Sequence, residues 1–343
     1  MPFPTEPAPH SVTSKRVSGV MLSVVLSLLP LIIVQTVNFG WGLLIQIVVA
    51  VEFAYVSEII ALRLRRLPPG AYLRDGSTAT TAILLALAIP PLAPWWLAAT
   101  GATFAILLAK HAYGGLGYNS FNPAMVGYAV LLVSFPVQMS LWPLPTGIDG
   151  THLTFWQTLQ TVGLGHPPQP LPWDGITGAT PLAALRSGFQ VGQTIEETRA
   201  SPIFGTFGGR GWEWMAMAAA AGGLFLLITN TIRWHIPGAM LGTIAVLATL
   251  MHGVDPGQYP SMTFHLTTGA VMVGAFFIAT DPISAPNSPR GRLVYGAGIG
   301  LLTYWIRTWG GYPDAIAFAV LLMNLLVPVI DKHTVPRIYG HER

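Results

Sequence analysis

Long apolar runs with very few charged residues between them constrain this chain more than any other feature. Of its 343 residues, 52% are hydrophobic and 9% are charged, whereas a typical soluble domain carries about 25% charged residues. Because so few polar groups cannot cover a water-soluble fold of this length, the composition excludes a soluble enzyme and a disordered protein. The sequence therefore predicts an integral membrane protein surrounded by a lipid bilayer.

Cysteine content and net charge exclude several kinds of cofactor and partner. The chain has no cysteine, which excludes disulfides, iron–sulfur clusters and thiolate zinc sites, and its nine histidines show no metal-ligand spacing. The net charge of +3 is too small and too scattered to indicate nucleic-acid binding. We therefore expect neither a metal site nor a nucleic-acid partner.

Ten apolar segments are candidates for membrane-spanning helices. One of them, residues 78–89, stops at a proline cluster, and as a helix it reaches about 18 Å, roughly half of a hydrocarbon core. This segment either ends inside the membrane or lies at its rim. The other nine runs are residues 17–36, 41–62, 97–110, 124–141, 214–232, 237–252, 267–279, 293–305 and 315–330.

A polar stretch rich in proline and glycine divides these segments into five and five. The predicted organisation is an N-terminal tail 1–16, a membrane repeat 17–141, an extramembrane loop 142–213, a second repeat 214–330 and a C-terminal tail 331–343. No cleavage signal precedes the first apolar run, so we interpret that run as a permanent span. With both termini in the cytoplasm, thirteen of the 17 Lys and Arg residues fall on the inner side, which supports that orientation and an extracytoplasmic loop.

The two halves resemble each other in their glycine and proline positions. Residues 76–90 align with 269–282, and the break at Gly114-Gly115 aligns with that at Gly310-Gly311. Since five spans is an odd number, the second copy is predicted to be inverted, as in transporter-like folds with a site near the pseudo-two-fold axis. The alternative is that apolar helices look alike by chance. The predicted fold is all-α, with about ten transmembrane helices in two inverted repeats.

The sharpest motif lies in the loop. It is Asp174-Gly-Ile-Thr177-Gly178-Ala179-Thr180, followed by Pro181-Leu182, and it matches the sequence in which flavin transferases attach FMN to the last hydroxyl as a phosphodiester. The small Gly178 and Ala179 leave room for a bulky nucleotide, and a phosphate on Thr180 would face a helix N-terminus. The alternative interpretation is a plain helix N-cap at Thr180.

Together with three other motifs, this one resembles a known membrane family. The chain is similar to the RnfD family of membrane proteins in bacterial Rnf electron-transport complexes and to its homologues in the sodium-pumping NADH:quinone oxidoreductase. The resemblance covers nearly the whole chain. Besides 174–181 it rests on Arg74-Asp75-Gly76 leading to Pro90-Pro-Leu-Ala-Pro-Trp-Trp96, on Lys110-His-Ala-Tyr-Gly-Gly followed by Asn119-Ser-Phe-Asn-Pro-Ala124, and on Phe276-Phe-Ile-Ala-Thr-Asp281-Pro.

The resemblance implies a specific cofactor set and setting. It implies a covalent FMN on Thr180, a second, non-covalent flavin such as riboflavin within the membrane, and a complex that couples electron transfer between ferredoxin and NAD to ion movement. The implied partners are the other subunits of an Rnf-type complex and a flavin transferase. The implied location is the bacterial inner membrane, with the FMN loop on the periplasmic side.

Polar residues near the membrane segments are further candidates. Asn119 and Asn122 follow a glycine-rich break, where their amides could bond a flavin ring or could satisfy backbone groups freed by the break. Glu52 and Glu58 lie within a span, where a carboxylate usually faces a partner or a cavity, and we consider an ion-pathway role for Glu52. Asp75 and Asp281, at inner span ends, either help ions cross or lie in the headgroup region.

The sequence thus predicts a redox protein that passes electrons across the membrane between two flavins. It would act as part of an ion-translocating oxidoreductase, with no catalytic residues and no substrate turnover of its own, because the cofactors supply the chemistry. Two rivals are a solute channel or transporter, suggested by the inverted repeat, and a passive scaffold for redox partners. The flavin motif distinguishes the first hypothesis from both.

Overall fold

The computed structural model describes residues 17–148, 152–312 and 314–334. The predicted tail 1–16 and residues 335–343 of the predicted C-terminal tail lie outside the described residues. Within them the chain is mainly helical. The helices are α1 Val17–Phe39, α2 Gly42–Leu64, α3 Pro69–Tyr72, α4 Ser77–Ala88, α5 Trp95–Phe104, α6 Pro123–Ser134, α7 Pro136–Ser140, α8 Phe155–Leu164, α9 Pro181–Gln190, α10 Ile195–Arg199, α11 Trp212–Ile228, α12 His235–Val254, α13 Met262–Thr267, α14 Val271–Val273, α15 Pro289–Trp309 and α16 Ile316–Thr334.

Among the described residues, four helices are long and apolar enough to cross a membrane: α1, α2, α12 and α16. Shorter apolar helices accompany them at α4, α6 and α11. Helices satisfy their own backbone hydrogen bonds and can therefore cross a bilayer. These apolar helices confirm the prediction of a helical integral membrane protein. The count of ten spans stays a prediction.

The short segment before the proline cluster forms α4. This helix ends at Ile89, whose backbone is extended, and most of its side chains from Ser77 to Leu87 are buried. It packs against α2 and α6. Surrounding protein, not lipid, therefore covers most of this short helix.

Two of the predicted apolar runs contain a break in the helix. The run 124–141 breaks at Phe135, because proline at 136 disfavours helical backbone in the residue before it. The run 267–279 starts with extended backbone at Thr268, and its helix continues beyond α14 as a π-helix over Gly274–Ile278. A second π-helix, Ala105–His111, extends α5.

The two segments that align between the halves begin alike. Gly76 precedes α4 with φ +81°, and Gly269 precedes α14 with φ +63°, a region that side chains with a Cβ rarely enter. At Gly269 a Cβ would also lie 2.5 Å from Arg307 Nη2 and 2.8 Å from Leu182 Cδ1. Positions 76 and 269, which the sequence alignment of the halves pairs, therefore share a left-handed glycine before a helix.

The loop between the halves is a folded layer. Strand β1, Trp142–Pro143, pairs antiparallel with β2, Thr177–Gly178, so that Trp142 lies opposite Gly178. A small apolar core joins this layer to α13; its buried members are Leu185, Ile195, Ile203, Phe204 and Phe264. The layer is thereby fixed against the membrane helices.

Candidate cofactor site

The motif of the loop has a defined local structure. Asp174 is exposed in a short 3-10 turn, Trp173–Gly175. Thr177 and Gly178 form β2, and Thr177 Oγ1 donates a hydrogen bond to the Trp173 carbonyl at 2.8 Å. Ala179 is exposed and Thr180 is half-buried. The motif thus presents an accessible edge that leads directly to Thr180.

Thr180 is the N-cap of α9, as predicted. Its Oγ1 accepts a hydrogen bond from the Ala183 N–H at 3.2 Å, and Pro181 occupies the first helical position. An N-cap oxygen lies beside the unsatisfied N–H groups and the positive end of its helix. This environment suits a threonine that caps a helix and also one that carries a phosphate.

Thr180 lines a cavity of about 310 Å³ between the two halves, called here the Thr180 cavity. Its volume lies at the lower end of the range for small-molecule pockets, about 300–1,000 Å³. Most of its wall is apolar. Residues from both halves contribute, among them Leu31, Leu84, Leu87, Met125, Tyr128, Met139, Met215, Met272, Tyr312 and Ile316.

Two buried polar side chains in this wall lack partners. Gln35 on α1 is 0% exposed, and among the described residues neither Nε2 nor Oε1 has a hydrogen-bond partner. The same holds for Nε1 of Trp212 on α11, which is 6% exposed. Buried polar atoms are nearly always hydrogen-bonded, so this cavity suits an occupant with its own donors and acceptors. Neither residue belongs to the sequence-predicted set, although a glutamine inside an apolar run is a visible signal.

An ion pair shapes the cavity near the break before α14. Arg307 Nη2 lies 3.2 Å from Asp314 Oδ1, and Asp314 Oδ2 accepts from the Ala270 N–H at 2.9 Å. Arg307 also donates to the carbonyls of His265 and Thr268 at 3.0 and 3.1 Å. The backbone groups freed by the break are thus partly satisfied by these charged side chains.

A second, smaller cavity lies towards the opposite ends of α1 and α4. This Lys110 cavity measures about 100 Å³, and its wall includes Lys110, Asn119, Asn122 and Asp281. Leu84 lines both cavities. The two cavities therefore follow one another along the boundary between the halves, with Leu84 in the partition.

The two predicted asparagines lie together in this wall but differ in their bonding. Asn122 caps α6, since its Oδ1 accepts from the Met125 N–H and its Nδ2 donates to the Ile278 carbonyl, both at 3.2 Å. Asn119 donates to the Phe121 carbonyl at 3.1 Å, and its buried Oδ1 has no partner within the described residues. Of the two asparagines, Asn119 is therefore the one whose side-chain oxygen Oδ1 can accept a hydrogen bond from a ligand.

Of the two glutamates in α2, only Glu58 points into the protein. It is 0% exposed, and Lys110 Nζ lies 2.9 and 2.8 Å from its two carboxylate oxygens. His111 Nε2 lies 3.0 Å from Oε1. Glu52 is exposed on the outer surface of α2. The pairing with Lys110 is absent from the sequence predictions, because nothing in the local pattern indicates it.

The two predicted aspartates have matching local structures. Asp75 Oδ1 accepts from the Ser77 N–H and hydroxyl at 2.8 and 2.7 Å. Asp281 Oδ2 accepts from the Ser284 N–H and hydroxyl at 3.3 and 2.8 Å. Both therefore stabilise turns next to membrane segments, and Asp281 also lines the Lys110 cavity.

Fold and site together define a multi-pass helical membrane protein in which a folded layer between the two halves places a capping threonine at a cavity lined by residues of both. The chain belongs to the NQR2, RnfD, RnfE family, whose model matches residues 4–340. The resemblance carried by the sequence motifs is thereby confirmed.

Three relatives resemble the chain over its full length, and the name of each describes it as a subunit of the ion-translocating oxidoreductase complex. The protein of Cronobacter sakazakii is 47% identical over 99% of this chain and 100% of its own length. That of Aeromonas salmonicida is 48% identical over 98% of both chains. That of Aliivibrio salmonicida is 45% identical over 100% of both.

Proposed function

We propose that this chain is the flavin-carrying membrane component of an ion-translocating oxidoreductase complex and passes electrons across a bacterial inner membrane. The observation that carries the proposal is the position of Thr180. The last hydroxyl of an FMN-attachment motif caps a helix and lines a cavity between the two halves. The relatives named as subunits of such a complex support the setting.

Attachment requires access to a flavin transferase, and the motif provides it. The exposed Asp174 and Ala179 leave the motif open to an enzyme, while Thr180 lies at the border of the cavity. The hydroxyl oxygen would attack the FMN phosphorus of FAD, AMP would leave, and the hydroxyl proton would go to solvent. The product phosphate would then face the N–H groups at the start of α9.

A flavin supplies the electron-transfer chemistry when bound, and this chain orients it and excludes water. The apolar wall of the Thr180 cavity lowers the local dielectric, which strengthens each polar contact to the ring. Leu84 lines both cavities. A second flavin in the Lys110 cavity would therefore be the neighbour of the flavin in the Thr180 cavity, along the same boundary between the halves.

The second cofactor of the proposal is a non-covalent flavin, riboflavin or another, near Asn119 and Asn122. The free acceptor of Asn119 favours such a contact. The Lys110 cavity, at about 100 Å³, is smaller than typical ligand pockets. Binding of a flavin there therefore requires this cavity to enlarge.

The finer architecture belongs to the same proposal. It comprises ten helices in two inverted repeats, both termini in the cytoplasm and the 142–213 layer on the periplasmic side. For ion movement we retain Glu52, Asp75 and Asp281 as candidate pathway residues. The buried position of Glu58 adds it to that set, since intramembrane carboxylates usually serve function.

The alternative function is a solute channel or transporter of the inverted-repeat type. The left-handed glycines that begin the two aligned segments favour it, because broken helices at corresponding places often hold substrates. The experiment that separates the two starts with the purified chain. Digestion before Asp174 and after Arg186 releases the peptide 174–186, which should be heavier by one FMN less one water. An unmodified peptide from a chain co-expressed with the transferase would refute the flavin proposal.

A further inference from the structure

The amide of Gln35 has no protein partner for either of its polar atoms. It lies on α1 in the wall of the Thr180 cavity and is 0% exposed. Neither Nε2 nor Oε1 is hydrogen-bonded to any residue in the described ranges. A buried amide without partners destabilises a fold, so a partner that is not part of this chain is expected at this place.

A second observation points to the same cavity from another helix. Trp212 on α11 lines it, and its buried Nε1 also lacks a partner in the described part of the chain. Its ring is fixed by Phe39 and Trp142, whose centroids lie 4.9 and 4.8 Å away. The Gln35 amide and Nε1 of Trp212 therefore border one mostly apolar space.

The chemistry of these groups selects a planar heterocycle. A glutamine amide presents an acceptor and a donor side by side, which matches the alternating carbonyl and N–H groups along one edge of an isoalloxazine. An apolar wall accommodates the flat faces of such a ring. Water could satisfy single polar atoms, but a ring would also bury the apolar part of the wall, which favours the ring.

We propose that Gln35 is a binding and potential-tuning residue for the flavin tethered at Thr180, an inference that rests on the proposed function. Its Nε2 donates to a ring carbonyl, and its Oε1 accepts from the ring N–H. A donor to a carbonyl oxygen stabilises the electron-rich, reduced ring more than the oxidised ring, because hydrogen bonds to charged acceptors are stronger. Gln35 therefore raises the midpoint potential of this flavin.

The test is a redox titration of the covalent flavin in the purified complex. Gln35→Leu should leave the fluorescence in denaturing gels intact. It should lower the ratio of reduced to oxidised flavin at a given potential about tenfold, which lowers the midpoint potential by about 30 mV for a two-electron couple. Gln35→Met, with an unbranched side chain, provides a second variant should leucine prevent assembly. The matched control is Gln46→Leu on α2, whose amide donates to the Ala93 carbonyl outside this cavity. An unchanged potential in both Gln35 variants would overturn the proposal.

A stability comparison separates this inference from the proposed function. In a Thr180→Asn background, which carries no tethered flavin, Gln35→Leu should not lower the melting temperature, because the amide has no partner there. In the flavin-loaded chain the same change should lower it. An equal effect in both backgrounds would assign the amide to water or to another ligand and so overturn the inference. If the wild-type chain itself lacks covalent flavin, the proposed function fails first.

Discussion

Substitutions at Thr180 can distinguish a helix cap from a flavin attachment point. The structure shows that the Thr180 hydroxyl oxygen caps α9 by accepting from the Ala183 N–H at 3.2 Å. Removing such a cap costs about 1 kcal/mol of stability. Serine keeps both the cap and an attachable hydroxyl, asparagine keeps the cap alone, and valine keeps neither.

The expected pattern therefore separates stability from fluorescence. Thr180→Ser should retain both the in-gel fluorescence and the stability of the chain. Thr180→Asn should lose the fluorescence, with the cap of α9 preserved, and Thr180→Val should lose the fluorescence and a further ~1 kcal/mol of stability. Melting temperature and fluorescence of the denatured polypeptide are measured on the same preparations.

The control lies three residues earlier in the motif. Thr177 Oγ1 donates to the Trp173 carbonyl at 2.8 Å and so stabilises the turn that leads to the attachment point. Thr177→Val should weaken the fluorescence without abolishing it. Fluorescence that survives denaturation in Thr180→Asn would show that the flavin is attached elsewhere and would refute this reasoning.

The membrane helices and the loop give three further predictions. Lys110→Met should destabilise the chain by about 3–5 kcal/mol, because it leaves the Glu58 carboxylate buried without its cation; Lys110→Met with Glu58→Gln should recover much of that loss in a thermal melt. Replacing Asn119 and Asn122 by leucine should remove acid-extractable flavin from the complex while the covalent flavin stays, and full retention would make both amides structural. A reporter inserted at Pro168–Gln169 should be active only when exported and one at the C-terminus only in the cytoplasm, whereas activity on the same side would contradict the five-plus-five topology.

Several features follow from the sequence because they depend on neighbouring residues. The lack of charge identifies the membrane class, and run length locates α1, α2, α12 and α16. Thr180, Pro181 and the apolar residues after them identify the start of α9, since an N-cap is a property of a few consecutive residues. Two of the predicted apolar runs contain backbone breaks. One break precedes a proline and is locally visible, while the other, at Thr268, is held by a distant ion pair.

The tertiary structure alone decided which side chains meet. Glu58 pairs with Lys110, 52 residues away, whereas Glu52 in the same helix is exposed. The backbone N–H of Asn122 donates to Oδ1 of Asn324, which lies 202 residues further along the chain. Membrane helices are apolar on nearly all faces, so their hydrophobic pattern does not reveal which face is buried. Gln35 and Trp212 become neighbours of one cavity only when α1 and α11 pack together, and this packing determines the polar groups that face a cofactor.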